Sequence, residues 1–135
     1  MNVLIVDAQG GGIGKQLVSA IKEKMPKVAI TAVGTNVMAT SAMLKAGADY
    51  AATGENAVIV GSRKADVIVG TIGIVIADAM NGEITPKMAL AVGQSTAKRI
   101  LIPINHCDNI VVGVSEITVG RLIEDVLKEL NRICN

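Results

Sequence analysis

Val3-Leu4-Ile5-Val6-Asp7-Ala8-Gln9-Gly10-Gly11-Gly12-Ile13-Gly14-Lys15 is an apolar run that opens into glycines and then into a helix. Four consecutive aliphatic residues suit a parallel strand buried on both faces, and Ile13, Leu17, Val18, Ile21 and Met25 then recur at helical spacing. The glycines therefore lie at a strand-to-helix junction. There the unpaired N–H groups of the first helical turn, reinforced by the helix dipole, make a site for an anion whose approach side chains would block. The stretch reads as a phosphate-binding turn made by Gln9, Gly10, Gly11, Gly12, Ile13 and Gly14.

Outward from this turn, strands and helices alternate. Pro26 stops the first helix at about Met25, and residues 28–34 form the second strand. Thr35 or Asn36 caps a helix running to Lys45, with Gly47 as its stop. A short third strand is expected at 48–52, then the loop Thr53-Gly54-Glu55-Asn56, capped by Thr53 or Asn56, and a helix to about Arg63. Residues 66–70 are a strand that leads into Thr71-Ile72-Gly73, a second glycine-containing junction, and a short helix ending near Asn81-Gly82. Thr85-Pro86 starts the next helix, with threonine as cap and proline at the first helical position. Strands are expected at 100–104 and 110–114 around the polar tip Asn105-His106-Cys107-Asp108-Asn109. The last helix, 118–133, carries the stripe Val119, Leu122, Ile123, Val126, Leu127, Leu130 and Ile133.

This alternation predicts one α/β domain, a doubly wound, mostly parallel sheet with helices on both faces, Rossmann-like in architecture. Such sheets bind ligands at the carboxyl ends of their strands, where strand order reverses. That edge collects the glycine turn, Thr35-Asn36, Thr71-Ile72-Gly73 and Asn105-His106-Cys107.

Composition limits the function. At 135 residues, half of them hydrophobic, the chain buries roughly 68% of its unfolded surface, enough for a core. With no Phe or Trp and only Tyr50, that core is aliphatic, and methionines fill its gaps. The same lack of aromatics, with 13 basic against 12 acidic residues, argues against nucleic acid as a partner. No apolar run reaches the ~18 residues of a membrane span. The first strand begins within two residues of Met1, leaving no room for a targeting peptide, so a cytoplasmic protein is expected. Cys107 and Cys134 suggest no disulfide framework, and with one histidine no metal site is expected.

By spacing, Ala8, Gly12 and Gly14 resemble the G-x-x-x-G-x-G turn of short-chain dehydrogenases, which bind NAD or NADP. Asp7-Ala8 stands where that family has Thr-Gly, and a carboxylate there repels a pyrophosphate unless it points away. The reductase chemistry is missing, because Tyr50 is followed four residues on by Gly54 rather than lysine. Nor does an acidic residue lie between Glu23 and Asp49, where a dinucleotide's adenosine ribose is usually held. Gly11-Gly12-Ile13-Gly14-Lys15 also looks like a deviant nucleoside-triphosphatase P-loop, but Gln16 replaces the magnesium-binding Ser or Thr. Over its whole length the chain resembles a small bacterial family known as a domain of unknown function. The resemblance rests on Asp-x-Gln-Gly-Gly-Gly-Ile-Gly at 7–14, Gly34-Thr35-Asn36, residues 52–57 and Pro103-Ile104-Asn105. It implies a Rossmann-like fold and no particular activity.

The expectation is a nucleotide-like ligand, NAD or NADP, held by Gln9 to Gly14 with Thr35, Asn36, Thr71 and Gly73. With too little chain for a substrate domain, the protein is expected to act as a sensor or as the accessory subunit of a larger enzyme, and as a homodimer. Two rivals stand beside this: a small enzyme using Asn105, His106, Cys107 and Asp7, and a structural partner protein whose glycine turn is empty.

Overall fold

The computed structural model of the chain describes residues 1–104 and 108–135. Its strands are β1 (Asn2–Asp7), β2 (Ala29–Gly34), β3 (Tyr50–Thr53), β4 (Val67–Thr71) and β5 (Lys98–Ile102). Its helices are α1 (Gly12–Lys24), α2 (Val37–Lys45), α3 (Glu55–Lys64), α4 (Pro86–Gln94) and α5 (Val119–Cys134). The strands pair in the order β3-β2-β1-β4-β5, all parallel, so the order reverses between β1 and β4. The expected α/β sheet with helices on both faces is what forms.

The alternation of side chains along each strand decides which helix covers which face. Val3, Ile5, Ile30, Val67 and Val69 pack under α1, α2 and α5 with Leu17, Ile21, Met43, Val126 and Leu130. Leu4, Val6 and Ile68 face the other way, against Val58 of α3 and Met88 and Val92 of α4. Every residue of β1 from Val3 to Asp7 is buried, as a central strand demands.

Several expectations change, and the fifth strand runs over Lys98–Ile102 rather than 100–104. The third strand begins at Tyr50 rather than Ala48, because it is an edge strand with largely exposed side chains and no apolar run to mark it. The helix expected to end near Asn81-Gly82 is instead a single 3₁₀ turn, Ile72–Val75, followed by a series of tight turns over 76–83. Residues 110–114 form no strand: Ile110 and Val112 are exposed and unpaired with the sheet. Two capping expectations hold, with Asn36 Oδ1 accepting from Ala39 N–H at 2.9 Å and Thr85 Oγ1 from Met88 N–H at 3.2 Å. At α3 neither Thr53 nor Asn56 caps; Gly54 stands at the start with φ 102°, and Glu55 instead accepts from the Thr85 hydroxyl.

Candidate functional site

The glycines of the turn have different physical reasons. Gly11 has φ 72°, and a Cβ there would lie 2.7 Å from Ala39 Cα, so backbone conformation and the approach of α2 both require glycine. At Gly14 a Cβ would lie 2.5 Å from Met43 Sδ and 2.8 Å from Asp7 Oδ2. Gly10 and Gly12 have no such reason. Neither has a positive φ, and a Cβ on either would meet nothing within 4 Å. Their missing side chains keep open space open.

Asp7 ends β1 and turns inward beneath the loop, 6% exposed. Its carboxylate accepts Gly14 N–H at 2.6 Å and Ala8 N–H at 2.8 Å, supplying the cap that Gly11 has no side chain to provide. Burial pushes its pKa above the ordinary carboxylate value. The bonds from Gly14 and Ala8 pull the other way, and the charge of Glu83 adds to the rise. The first helical turn is thus partly satisfied from within: the Gly14 amide is not open to a ligand, and the Gly11 amide bonds Ala8 O. Among the described residues the N–H groups of Gly10, Gly12 and Ile13 have no partner.

Glu83 reaches this turn from the loop before α4. Its Oε1 accepts Gln9 N–H at 3.0 Å, the Thr35 hydroxyl at 2.7 Å and Asn36 Nδ2 at 2.8 Å. Asn36 Nδ2 also donates to Gln9 O, tying the end of β2 to the turn. Hydrogen bonding from Gln9 N–H, then from Thr35 and Asn36, holds the Glu83 carboxyl below its ordinary pKa in spite of partial burial. A carboxylate thus fills the place at the end of β2 that the local sequence leaves without an acid.

Beside the turn, where strand order reverses, a cavity of ≈ 500 Å³ is lined by Gln9, Ile76, Ala77, Asp78, Met80, Asn81 and Asp108. The non-glycine residues with positive φ among those described are Gln9, Asp78, Met80, Asn81 and Asp108, and all five line this cavity. Such strain gathers where function holds it in place. Among the described residues, two carboxylates border the cavity and no lysine or arginine does. A Cβ on Gly73 would meet Met80 Cε of the cavity wall at 3.1 Å and Thr71 Oγ1 at 3.7 Å, and among the described residues the buried Thr71 hydroxyl has no hydrogen-bond partner.

The structure therefore brings Gln9, Gly10, Gly12, Ile13, Thr35 and Asn36 to one edge, puts Gly11 and Gly14 into packing roles, packs Ala79 and Met80 against Gly73, and buries Thr71. Asn105, His106 and Cys107 lie outside the described residues. Among those that are described, no cluster of metal-ligating side chains forms and no helix is long and apolar enough to cross a membrane. Sequence reading missed Glu83, Asp78, Met80, Asn81 and Asp108. The available signal was Asn81-Gly82, a turn dipeptide in the loop that follows a central strand.

A family model described as Domain of unknown function (DUF3842) matches residues 2–135. No curated protein matches the chain in sequence. Among solved structures, a dodecameric FMN-dependent Ubix-like decarboxylase from Escherichia coli O157:H7 is similar, with a TM-score of 0.53 and 18% identity over 96% of this chain and 94% of that one. This likeness corrects the expectation of NAD or NADP, since a protein of similar fold is FMN-dependent.

Proposed function

The chain belongs to that family of domains of unknown function, and from this premise we propose that it binds a phosphorylated mononucleotide of the flavin class, FMN, at the carboxyl edge of its sheet. The observation that carries the reading is the pair Gly10 and Gly12, whose bare backbone the fold does not need, beside N–H groups of Gly10, Gly12 and Ile13 that have no partner among the described residues. An anion fits there, where the positive end of α1 adds to the attraction.

The cavity suits the rest of such a ligand. Its volume of ≈ 500 Å³ lies within the range of small-molecule sites, and Ile76, Ala77 and Met80 give it an apolar wall. Asp78 and Asp108 accept hydrogen bonds from ribityl hydroxyls or the ring imide while opposing a second phosphate. That charge pattern favours a mononucleotide over a dinucleotide. When bound, the flavin supplies electron-transfer chemistry, and the residues of the chain position it. We read the protein as a flavin-binding sensor or accessory subunit that works as a homo-oligomer. The exposed Ile110 and Val112 support an association between copies.

Thermal melting in the presence of FMN, riboflavin and NAD tests the reading. FMN at about 100 times its dissociation constant adds ~2.7 kcal/mol, which raises the midpoint by roughly 10 °C for a chain of this size. Riboflavin, which lacks the phosphate, is expected to give a clearly smaller rise at equal concentration. A rise of the same size from riboflavin would remove the phosphate from the argument, and no rise from FMN would favour the empty-turn reading.

A further inference from the structure

All three groups that meet Glu83 Oε1 donate hydrogen bonds: a backbone N–H after β1, a hydroxyl at the end of β2 and a side-chain amide at the cap of α2. Donors from three separate segments converging on one oxygen define a subsite for an anion, and in this state the chain's own carboxylate fills it. We propose that Glu83 is an internal competitor for the anionic group of the ligand. On binding, the phosphate takes over the Gln9, Thr35 and Asn36 donors, and the chain passes to an open state in which the Glu83 side chain is turned away from them while residues 76–81 remain the wall of the cavity. This rests on the reading of the glycine turn as the phosphate end of the site.

The competition sets specificity. A tethered carboxylate competes at high effective concentration. An uncharged ligand gains nothing from donors made for an anion. A phosphate monoester offers more charge and three acceptor oxygens, enough to engage the Glu83 donors together with the open amides of the turn.

Titrations of FMN and riboflavin into the wild type, Glu83→Ala and Glu83→Gln, followed by flavin fluorescence, test this alongside amide resonances of Gln9. If the open state is populated at ~1–10%, removing the competitor tightens FMN binding about 10- to 100-fold. Glu83→Ala is expected to do so with riboflavin changed less than about twofold, and Glu83→Gln, which accepts without charge, to fall between. The Gln9 amide should shift in ligand-free Glu83→Gln and again when FMN is added to the wild type. Weaker or unchanged FMN binding in Glu83→Ala overturns the competition while leaving the site reading intact, and so does equal tightening of riboflavin. If inorganic phosphate shifts Gln9 in Glu83→Ala but FMN does not bind, the anion subsite stands and the flavin assignment falls. Failure of both probes on every variant overturns the phosphate reading and the competition with it.

Discussion

Gly12→Val is expected to leave folding stability within about 0.5 kcal/mol of the parent and to weaken FMN binding about 100-fold or more. The two halves of this expectation come from one observation, that a Cβ at Gly12 would meet nothing within 4 Å. In the folded chain the new side chain strains nothing, and loss of glycine's freedom in the unfolded chain offsets part of valine's poorer helix propensity. In the complex the branched side chain stands where the ligand's anion must approach the Gly12 and Ile13 amides. Two hydrogen bonds to a charged group, at ~1.5–3 kcal/mol each, are then lost. Gly14→Ala should behave in the opposite way. Its Cβ would press on Met43 Sδ and Asp7 Oδ2, so overpacking is expected to destabilise the fold by about 1–3 kcal/mol. Urea unfolding and FMN titration on the same two variants separate these effects. If Gly12→Val unfolds as easily as Gly14→Ala, or binds FMN as the parent does, the distinction between bare and packed glycines is wrong.

That distinction shows what the sequence could and could not convey. β1 and β4 were legible because strands buried on both faces are continuous aliphatic runs, and α5 because its stripe repeats at helical spacing. Spacing also revealed a strand-to-helix turn at Gly10 to Gly14. It did not say which glycines serve packing, since Ala39 and Met43, the atoms that decide it, arrive from α2. Residues 110–114 read as a strand by composition, but strand propensity without a ladder partner does not make one. A short helix was expected to end near Asn81-Gly82, and positive φ at Asp78, Met80 and Asn81 rules it out. Glu83 was invisible for another reason. It lies 48 positions from Thr35 and 74 from Gln9, so only the fold reveals that it completes the end of β2. The dinucleotide expectation rested on glycine spacing, which reports a turn and not what lies beside it.

Asp7→Ala is expected to cost about 2–4 kcal/mol of stability, and the cost should depend on pH in a defined direction. The substitution leaves the Gly14 and Ala8 amides without their buried acceptor, at ~1–3 kcal/mol for each orphaned donor, while removal of a desolvated charge gives part of that back. Burial raises the Asp7 pKa in the folded protein, so the folded state holds this proton more tightly than the unfolded chain does. Stability contributed by Asp7 is therefore greatest below its unfolded value of 3.8 and declines as pH rises through the raised folded value. Glu83 has the opposite sign: its contribution is present above its unfolded value of 4.5 and is lost as pH falls through its lowered folded value. Urea unfolding of wild type and Asp7→Ala across pH 4 to 8 isolates the first of these, since groups common to both proteins largely cancel in the difference. The gap between the two should be widest at the acid end and should narrow, then level off, as pH rises. A gap that widens with pH would mean the two amide bonds outweigh burial and that Asp7 is an ordinary ionised cap.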